Sequence, residues 1–352
     1  MDTAATGAAA SALPRSAYIV NPAYDWLLFL LPPVAALGLG FVITGTWFSD
    51  AGFELAGYDF SPSGLLIGVF IHAHLVAVFF RSHGNPAIFR SFPRRFVLVP
   101  LLLYLAMLSS NWALICVSVL ATFWDVYHSA LQTFGFARIY DNKWGNDPAA
   151  GRQLDYWLNL LLYAGPILAG VTMIDHFEDF AEFEEVGATF FTRIPAYMEG
   201  HQQYYAWAVI ALGCAFLLYY LHAQWRLSRQ GYRVSPLKVY LLASTGAVSI
   251  LTWGFNTWGE AFFIMNFFHA LQYFGIVWAR EQGNLVRLFR VGSLPNGKYL
   301  ALALFLGATF GYGLWAELSD TSITALWALT LTVSIMHFWY DSFIWSVRKQ
   351  QV

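Results

Sequence analysis

Ten runs of mostly apolar residues, separated by polar breaks, set the strongest limit on how this 352-residue chain can fold. A helix that crosses a membrane needs roughly 20 such residues. The runs lie near 25–47, 63–81, 96–109, 112–136, 156–173, 204–222, 239–255, 260–279, 299–316 and 322–346. We therefore predict an all-α, polytopic integral membrane protein with about ten transmembrane helices, forming a single transmembrane domain over residues 1–352.

The scarcity of charge agrees with this class. Only 11% of the residues are charged and 58% are hydrophobic, whereas soluble domains carry about 25% charged residues. The two cysteines are too few for a disulfide framework. The net charge of −2 shows no concentrated basic excess, which argues against a nucleic-acid partner. The expected partners are the lipid bilayer and a lipid-soluble small molecule, with an electron donor as a further candidate.

The distribution of Lys and Arg tests the number of spans, because these residues accumulate in short loops on the cytoplasmic side. With ten spans and both termini cytoplasmic, every one of the 19 basic residues except Arg193 falls on the inner side. The outer loops are correspondingly acidic. The pattern predicts a multi-pass protein of the cell (inner) membrane.

Two segments lie outside this pattern of spans. Residues 1–20 begin with an Ala-rich stretch and are predicted to be a flexible tail. Residues 174–203 are acidic and carry Phe177, Phe180 and Phe183 at a spacing of three. That spacing fits a short interfacial helix, and an exposed acidic loop explains it equally well.

Four histidines fall inside predicted spans, where ionisable side chains are costly and mark functional sites. They are His74, His128, His269 and His337, in spans 2, 4, 8 and 10. Each is followed after 7 to 11 residues by an arginine that marks the inner boundary. At 1.5 Å per residue, all four lie roughly 10–17 Å from that boundary. They therefore share one layer.

Residues three or four positions apart lie on the same face of a helix. Three of the four histidines have polar neighbours at that spacing: Asp125 and Gln132 beside His128, Asn266 and Gln272 beside His269, and Asp341 beside His337. A metal-bound imidazole commonly donates its second N–H to such a group. We predict a metal centre with four histidine ligands. The two aspartates either bind the metal or form hydrogen bonds to the imidazoles that do. The three amides are predicted to form such hydrogen bonds.

Two further histidines are secondary candidates. His72 lies two residues from His74 and so points to roughly the opposite side of its helix. His222 lies four residues before Arg226 and is expected at the interface.

The segments WDVYHSALQTFGFAR in span 4 and MNFFHALQYFGIVWAR in span 8 share an ALQ motif followed by Phe and Gly. They indicate an internal repeat in which spans 3–4 correspond to spans 7–8. Such a repeat would bring equivalent histidines together near its interface.

Aromatic side chains surround the histidines and are candidates for the wall of an apolar substrate cavity. They are Trp124, Tyr127, Phe268, Tyr273, Trp339 and Tyr340. Packing within the helix bundle explains the same rings equally well.

Imidazoles with one or two carboxylates suit iron, copper or zinc rather than magnesium or calcium. The leading hypothesis is a non-haem iron oxygenase, acting as a hydroxylase, desaturase or oxidative-cleavage dioxygenase on a fatty acyl, terpenoid or carotenoid chain. The alternatives are a b-type haem cytochrome or quinol oxidoreductase subunit, a copper centre, and a proton-coupled transporter that uses the aspartates and histidines as a relay.

The clustered HxxxH and HxxHH boxes of membrane fatty-acid desaturases are missing from this sequence. One histidine on each of four membrane helices is similar to the layout in bacterial carotenoid-cleaving membrane dioxygenases. The similarity is one of layout, with no motif aligned residue by residue.

Overall fold

The computed structural model describes residues 17–170, 197 and 200–345. The C-terminus, most of the predicted tail and nearly all of the acidic segment 174–203 lie outside the described residues. Ile19 and Val20, which the sequence places in the tail, donate their backbone N–H groups to the Asp25 carboxylate at 2.6 and 2.9 Å. The chain is therefore anchored from about Ile19 onward.

The regular secondary structure of the described part is helical except for one hairpin, and its longer helices coincide with the predicted apolar runs. They are α1 (Pro22–Leu30), α2 (Pro32–Ile43), α3 (Trp47–Asp50), α4 (Pro62–Ser82), α5 (Pro86–Ser91), α6 (Pro93–Ser109), α7 (Asn111–Lys143), α8 (Arg152–Ala169), α9 (Gln202–Arg229), α10 (Pro236–Gly254), α11 (Ala261–Leu288), α12 (Gly297–Glu317) and α13 (Thr324–Ile344). The last five residues of α1 and of α10 form π-helical turns.

Six described helices are long and apolar enough to cross a membrane, and the bent pair α1–α2 makes a seventh if it counts as one span. The six are α4, α7, α9, α10, α11 and α12. These helices indicate a multi-pass membrane protein that contacts lipid. The count of ten spans and the orientation of the termini stay predictions.

The hairpin joins α3 to α4 and was not expected from the sequence. Strand β1 (Phe53–Leu55) pairs antiparallel with β2 (Tyr58–Phe60). The two turn residues, Ala56 and Gly57, both have positive φ, at 55° and 86°. Two residues with positive φ form the tight turn whose twist matches that of paired strands.

The break between α1 and α2 follows from two consecutive prolines. The helices are bent by 49° at this break. Pro33 has no N–H to bond the carbonyl of Phe29 four residues earlier. The side chain of Gln272 on α11 donates to that carbonyl instead, at 2.8 Å. A backbone group freed inside the bilayer is thus satisfied by a neighbouring helix.

Helix α11 occupies the centre of the bundle. It packs against α2, α4 and α12, and 83% of its apolar stretch is buried. Helix α13 packs against α4, α6 and α7. Helix α9, in contrast, rests on α8 and is only 6% buried. The four helices that carry the predicted metal ligands are therefore neighbours in the interior.

Four buried charges tie α7, α8 and α10 together, and we call them the four-charge cluster. Arg138 lies 2.6 Å from Asp141 and 2.5 Å from Asp155. Lys238 lies 3.1 Å from Asp141 and 2.7 Å from Asp155. Two cations thus face two carboxylates. The Tyr232 hydroxyl also donates to Asp141 at 2.5 Å. Balanced charge and direct hydrogen bonds to the carboxylates make such buried ions tolerable.

Helices α4 and α12 approach closely at Gly313. An added methyl group there would collide with the backbone oxygen of Val69 and crowd Ala73, whereas one at Gly307 of the same helix would meet nothing within 4 Å. Gly313→Ala is expected to lower the thermal unfolding midpoint in detergent, because overpacking costs about 1–3 kcal/mol. Gly307→Ala is the matched control and should leave the midpoint unchanged or raise it. Equal effects of the two substitutions would contradict this close approach.

Candidate metal centre

The structure brings the four predicted histidines together in the interior, one from each of α4, α7, α11 and α13. All four side chains are buried. The ring centroids of His74 and His269 are 5.0 Å apart, and those of His269 and His128 are 5.2 Å apart. The ring centroid of His337 lies 4.7 Å from that of His128 and 4.9 Å from that of His74, so the four side chains form a closed ring. Each ring meets two others edge to face. We call this group the histidine ring.

The orientation of His337 is fixed by the backbone of α4. Its Nδ1 lies 3.0 Å from the carbonyl oxygen of Leu75. A carbonyl only accepts, so Nδ1 carries the proton and Nε2 of the neutral ring presents a lone pair. That Nε2 lies 3.0 Å from Nε2 of His128. A backbone carbonyl that holds one ring nitrogen and directs the other inward is a common arrangement around metal-binding histidines.

Three nitrogens of the histidine ring are buried without a hydrogen-bonding partner within the described part of the chain. They are Nδ1 and Nε2 of His74 and Nε2 of His269. A neutral imidazole has one lone pair, so each of these two rings has one to offer. An unpaired polar atom in the interior costs about 1–3 kcal/mol, and buried polar groups are normally paired. A metal cation among the rings would be a partner for both lone pairs.

The spacing of the nitrogens agrees with a metal site. One nitrogen from each of His74, His269 and His337 lies within 4.8 Å of the other two. Metal–nitrogen bonds of about 2.0–2.1 Å place tetrahedral ligand atoms about 3.4 Å apart. The three rings thus need only a small contraction to bind a common ion.

Asp341 completes a second group of potential ligands with His128 and His337. Its Oδ2 lies 3.9 Å from Nε2 of each of these histidines. Its Oδ1 accepts hydrogen bonds from the Tyr273 hydroxyl at 2.9 Å and the Trp345 indole at 2.8 Å. These two donors hold one carboxylate oxygen and turn the other toward the histidine ring.

A cavity of about 450 Å³ adjoins this centre, within the range of small-molecule sites. His128 and Asp341 are part of its wall. The remaining wall is mostly apolar and aromatic and includes Trp124, Tyr127, Leu131, Phe134, Tyr273, Ile276, Phe338 and Trp345. The histidine ring therefore meets an apolar space at His128, beside the one carboxylate of the wall.

Asp125 does not join the centre, although its spacing from His128 predicted that it would. It belongs to neither group of potential metal ligands among the described residues. Its charge instead acts on Tyr163 of α8. The packing of α7 turns His128 toward α11 and α13, and a residue three positions earlier is rotated by about 60°. That rotation is enough to direct Asp125 toward α8.

The three predicted amide partners bond to backbone groups or to one another rather than to imidazoles. Gln132 donates to the carbonyl of His269 at 3.0 Å and to Gln272 at 3.2 Å. Gln272 in turn donates to the Phe29 carbonyl freed by Pro33. Asn266 donates to the carbonyl of Phe262, one turn earlier in its own helix. Two of the amides thus fix the backbone that carries His269.

Three of the six predicted cavity residues line the cavity, namely Trp124, Tyr127 and Tyr273. The other three pack elsewhere. Phe268 is buried in a separate apolar cluster. Trp339 meets Phe343 edge to face, and the Tyr340 hydroxyl lies 3.4 Å from the Phe96 carbonyl on α6. Arg152, Phe134 and Trp345 belong to the wall, but no spacing from a histidine could have revealed them.

The secondary histidines lie apart from the centre. His72 points to α12, where its Nε2 is 3.5 Å from Glu317. His222 is exposed on α9 beside Trp225. Of the neighbouring pair on α4, His74 is thus the residue that reaches the histidine ring.

The chain matches no family model, no curated protein and no solved structure. What the site can do is therefore inferred from its residues. Four neutral imidazoles with one carboxylate favour a first-row transition metal over magnesium or calcium. The adjoining apolar wall favours an apolar ligand.

Proposed function

We propose that this chain is an integral-membrane metalloenzyme of the inner membrane, with about ten spans and both termini cytoplasmic. It holds one non-haem iron and oxidises a lipid-soluble substrate with dioxygen. Hydroxylation or desaturation would take two electrons from a separate electron donor, whereas oxidative cleavage by a dioxygenase needs none. The observation that carries the proposal is the histidine ring, with its unpaired nitrogens, at the wall of an apolar cavity. A purely structural cluster would be expected to pair those nitrogens within the protein.

The residues have distinct roles in this proposal. The four imidazoles hold the metal, and the Leu75 carbonyl keeps His337 directed inward. Bound iron supplies the activation of dioxygen that hydroxylation, desaturation or oxidative cleavage requires. Asp341, fixed by Tyr273 and Trp345, holds or releases a proton at Oδ2 on the cavity side. The apolar wall orients the substrate chain against His128 and excludes water.

The b-type haem alternative fits the geometry less well. Two axial imidazoles face each other across a porphyrin, and bonds of about 2.0–2.1 Å separate their nitrogens by about 4 Å. The Nε2 atoms of His128 and His337 are only 3.0 Å apart. Each of these rings also contacts one further imidazole, His269 beside His128 and His74 beside His337, so no flat slot is left between them for a macrocycle.

The transporter alternative needs a relay that includes Asp125 and His128. Asp125 lies outside both groups of potential ligands in the described ranges, and the ion pair of His128 there is with Asp341. The relay therefore has less support than the metal centre.

The proposal is tested by purifying the full chain in detergent, measuring its metals by mass spectrometry and recording its visible spectrum. We expect about one iron per chain and no Soret band. A Soret band would identify a cytochrome, and stoichiometric copper would replace iron in the proposal. A preparation without metal, even after incubation with ferrous iron, would refute the metalloenzyme.

Filling the cavity should separate substrate binding from metal binding. Gly135 lines the cavity, and a Cβ atom added there meets nothing within 4 Å. We expect Gly135→Phe to keep its metal but to lose saturable binding of the methyl ester of a nitroxide-labelled stearate, followed by quenching of tryptophan fluorescence. Gly307→Phe, at an exposed position of α12, is the control. Unchanged binding in Gly135→Phe would show that the cavity is not the substrate site.

A further inference from the structure

Among the described residues, one cationic side chain lines the mostly apolar cavity. Arg152 is the first residue of α8 and contributes to the cavity wall. Its guanidinium lies 5.5 Å from the centre of the Phe134 ring. The side chain is exposed, so it lies where the cavity meets the surroundings of the protein.

This arginine differs from the buried arginines of the same bundle. Arg81 pairs with Glu281 at 2.5 Å, and Arg138 pairs with two carboxylates of the four-charge cluster. Within residues 17–170, 197 and 200–345, no carboxylate lies within 4.0 Å of Arg152. The cavity thus has a cationic group whose charge is not used by the fold.

The two charged groups of the wall lie beside different residues of the cavity. Asp341 lies beside the histidine ring, whereas Arg152 lies beside Phe134. His128 and Phe134 are six residues apart on α7, which corresponds to about 9 Å along the helix. Leu131 and Phe134 form apolar wall along this path. A ligand lying along α7 therefore meets a cation at one end and the metal centre at the other.

We propose that the cavity binds a single-chain amphiphile with a carboxylate head, a long-chain fatty acid. This inference rests on the proposed function and names its substrate class. Arg152 receives the carboxylate, since a guanidinium matches a carboxylate in shape and charge. The acyl chain passes Phe134 and Leu131 and brings a carbon about 9 Å from its carboxylate beside His128. The mostly apolar wall beside His128 receives the acyl part of the ligand, so the chain enters in one direction.

The test uses the full chain in phosphatidylcholine nanodiscs. The probes are a stearic acid that carries a nitroxide near its methyl end and the methyl ester of the same molecule. Trp124 and Trp345 line the cavity, so a bound nitroxide quenches tryptophan fluorescence. We expect the acid to bind more tightly than the ester. Arg152→Gln should raise the Kd of the acid about tenfold or more and leave that of the ester unchanged.

Arg226→Gln is the matched control, because Arg226 is another exposed arginine at a distance from the cavity. Its Kd values should equal those of the wild type. Equal binding of acid and ester to the wild type, or an unchanged Kd in Arg152→Gln, would overturn the inference. Equally strong displacement of the probe by a two-chain phosphatidic acid would also overturn it, by showing a general site for anionic lipid.

The metal content of the same samples keeps the two proposals separate. Arg152→Gln is expected to retain its full metal content, because Arg152 belongs to neither group of potential ligands. If acid and ester bind alike while the metal is present, the carboxylate inference fails and the metal centre stands. If the metal is absent, the proposed function itself fails.

Discussion

Replacing His269 by alanine is expected to reduce the metal content of the purified protein from about one ion per chain to near zero. The other three imidazoles and Asp341 would remain, but the ion would lose a ligand whose nitrogen has no alternative partner in the described part of the chain. His128→Ala should have the same effect, because its ring contacts both His269 and His337. Mass spectrometry of metals in the purified variants measures the loss.

The control for these variants is His222→Ala, which removes an exposed imidazole on α9. It should keep the metal content of the wild type. Elution of every variant as a single symmetrical species in detergent would exclude unfolding as the cause of the loss. Full metal content in both His269→Ala and His128→Ala would show that the histidine ring is not the binding site.

Replacing Arg138 by alanine is expected to destabilise the protein by about 3–5 kcal/mol, because it leaves a buried carboxylate without its partner. Two carboxylates of the four-charge cluster, Asp141 and Asp155, would then share Lys238 alone. Arg138 also donates to the carbonyls of Pro148 and Ala150 at 3.0 and 2.8 Å, so the loop before α8 would lose its attachment. The thermal unfolding midpoint in detergent should fall sharply.

Arg226→Ala removes the same charge from an exposed position and should change the midpoint little, because exposed charges contribute about 0–1 kcal/mol. Similar midpoints for Arg138→Ala and Arg226→Ala would mean that the four-charge cluster does not stabilise the bundle. The metal content of folded Arg138→Ala should remain unchanged, since the cluster and the histidine ring share no residue.

Much of the architecture was predictable because the bilayer allows few solutions for the backbone. Each of the ten apolar runs coincides with a described helix over most of its length. The four histidines could be assigned to one group because the sequence indicates both the helix that carries each one and its depth in the membrane. The apolar runs give the helix, and the number of residues to the next basic residue gives the depth. An ionisable side chain is costly when it faces lipid, so all four histidines were expected to face the interior of the bundle.

The sequence did not predict how each helix is rotated about its own axis. Asp125 and Asp341 have equivalent spacings from a histidine, three before and four after. Only packing decided that Asp341 faces the histidine ring while Asp125 turns toward Tyr163. Phe268, Trp339 and Tyr340 were misplaced for the same reason, since only packing decides which of the rings near a histidine reach the cavity.

Contacts between distant segments were also beyond the sequence. The spacing of Gln272 from His269 suggests a hydrogen bond to that imidazole. Gln272 instead donates to a backbone carbonyl freed by Pro33, more than 200 residues away. Arg152 lies outside the apolar runs and became a candidate only when the start of α8 was seen beside Phe134. The hairpin depends on positive φ at Ala56 and Gly57, and its short strands carry no clear alternation of apolar residues.

The most direct test of the metal centre is X-ray absorption spectroscopy of the purified protein at the edge of the bound metal. Four imidazole nitrogens at about 2.0–2.1 Å, with the outer-shell scattering of imidazole rings, are the result expected for an ion held by His74, His128, His269 and His337. His269→Ala, if reconstituted with excess metal, should show one imidazole fewer. A porphyrin scattering pattern, or two or fewer imidazoles in the wild type, would contradict the centre proposed for this protein.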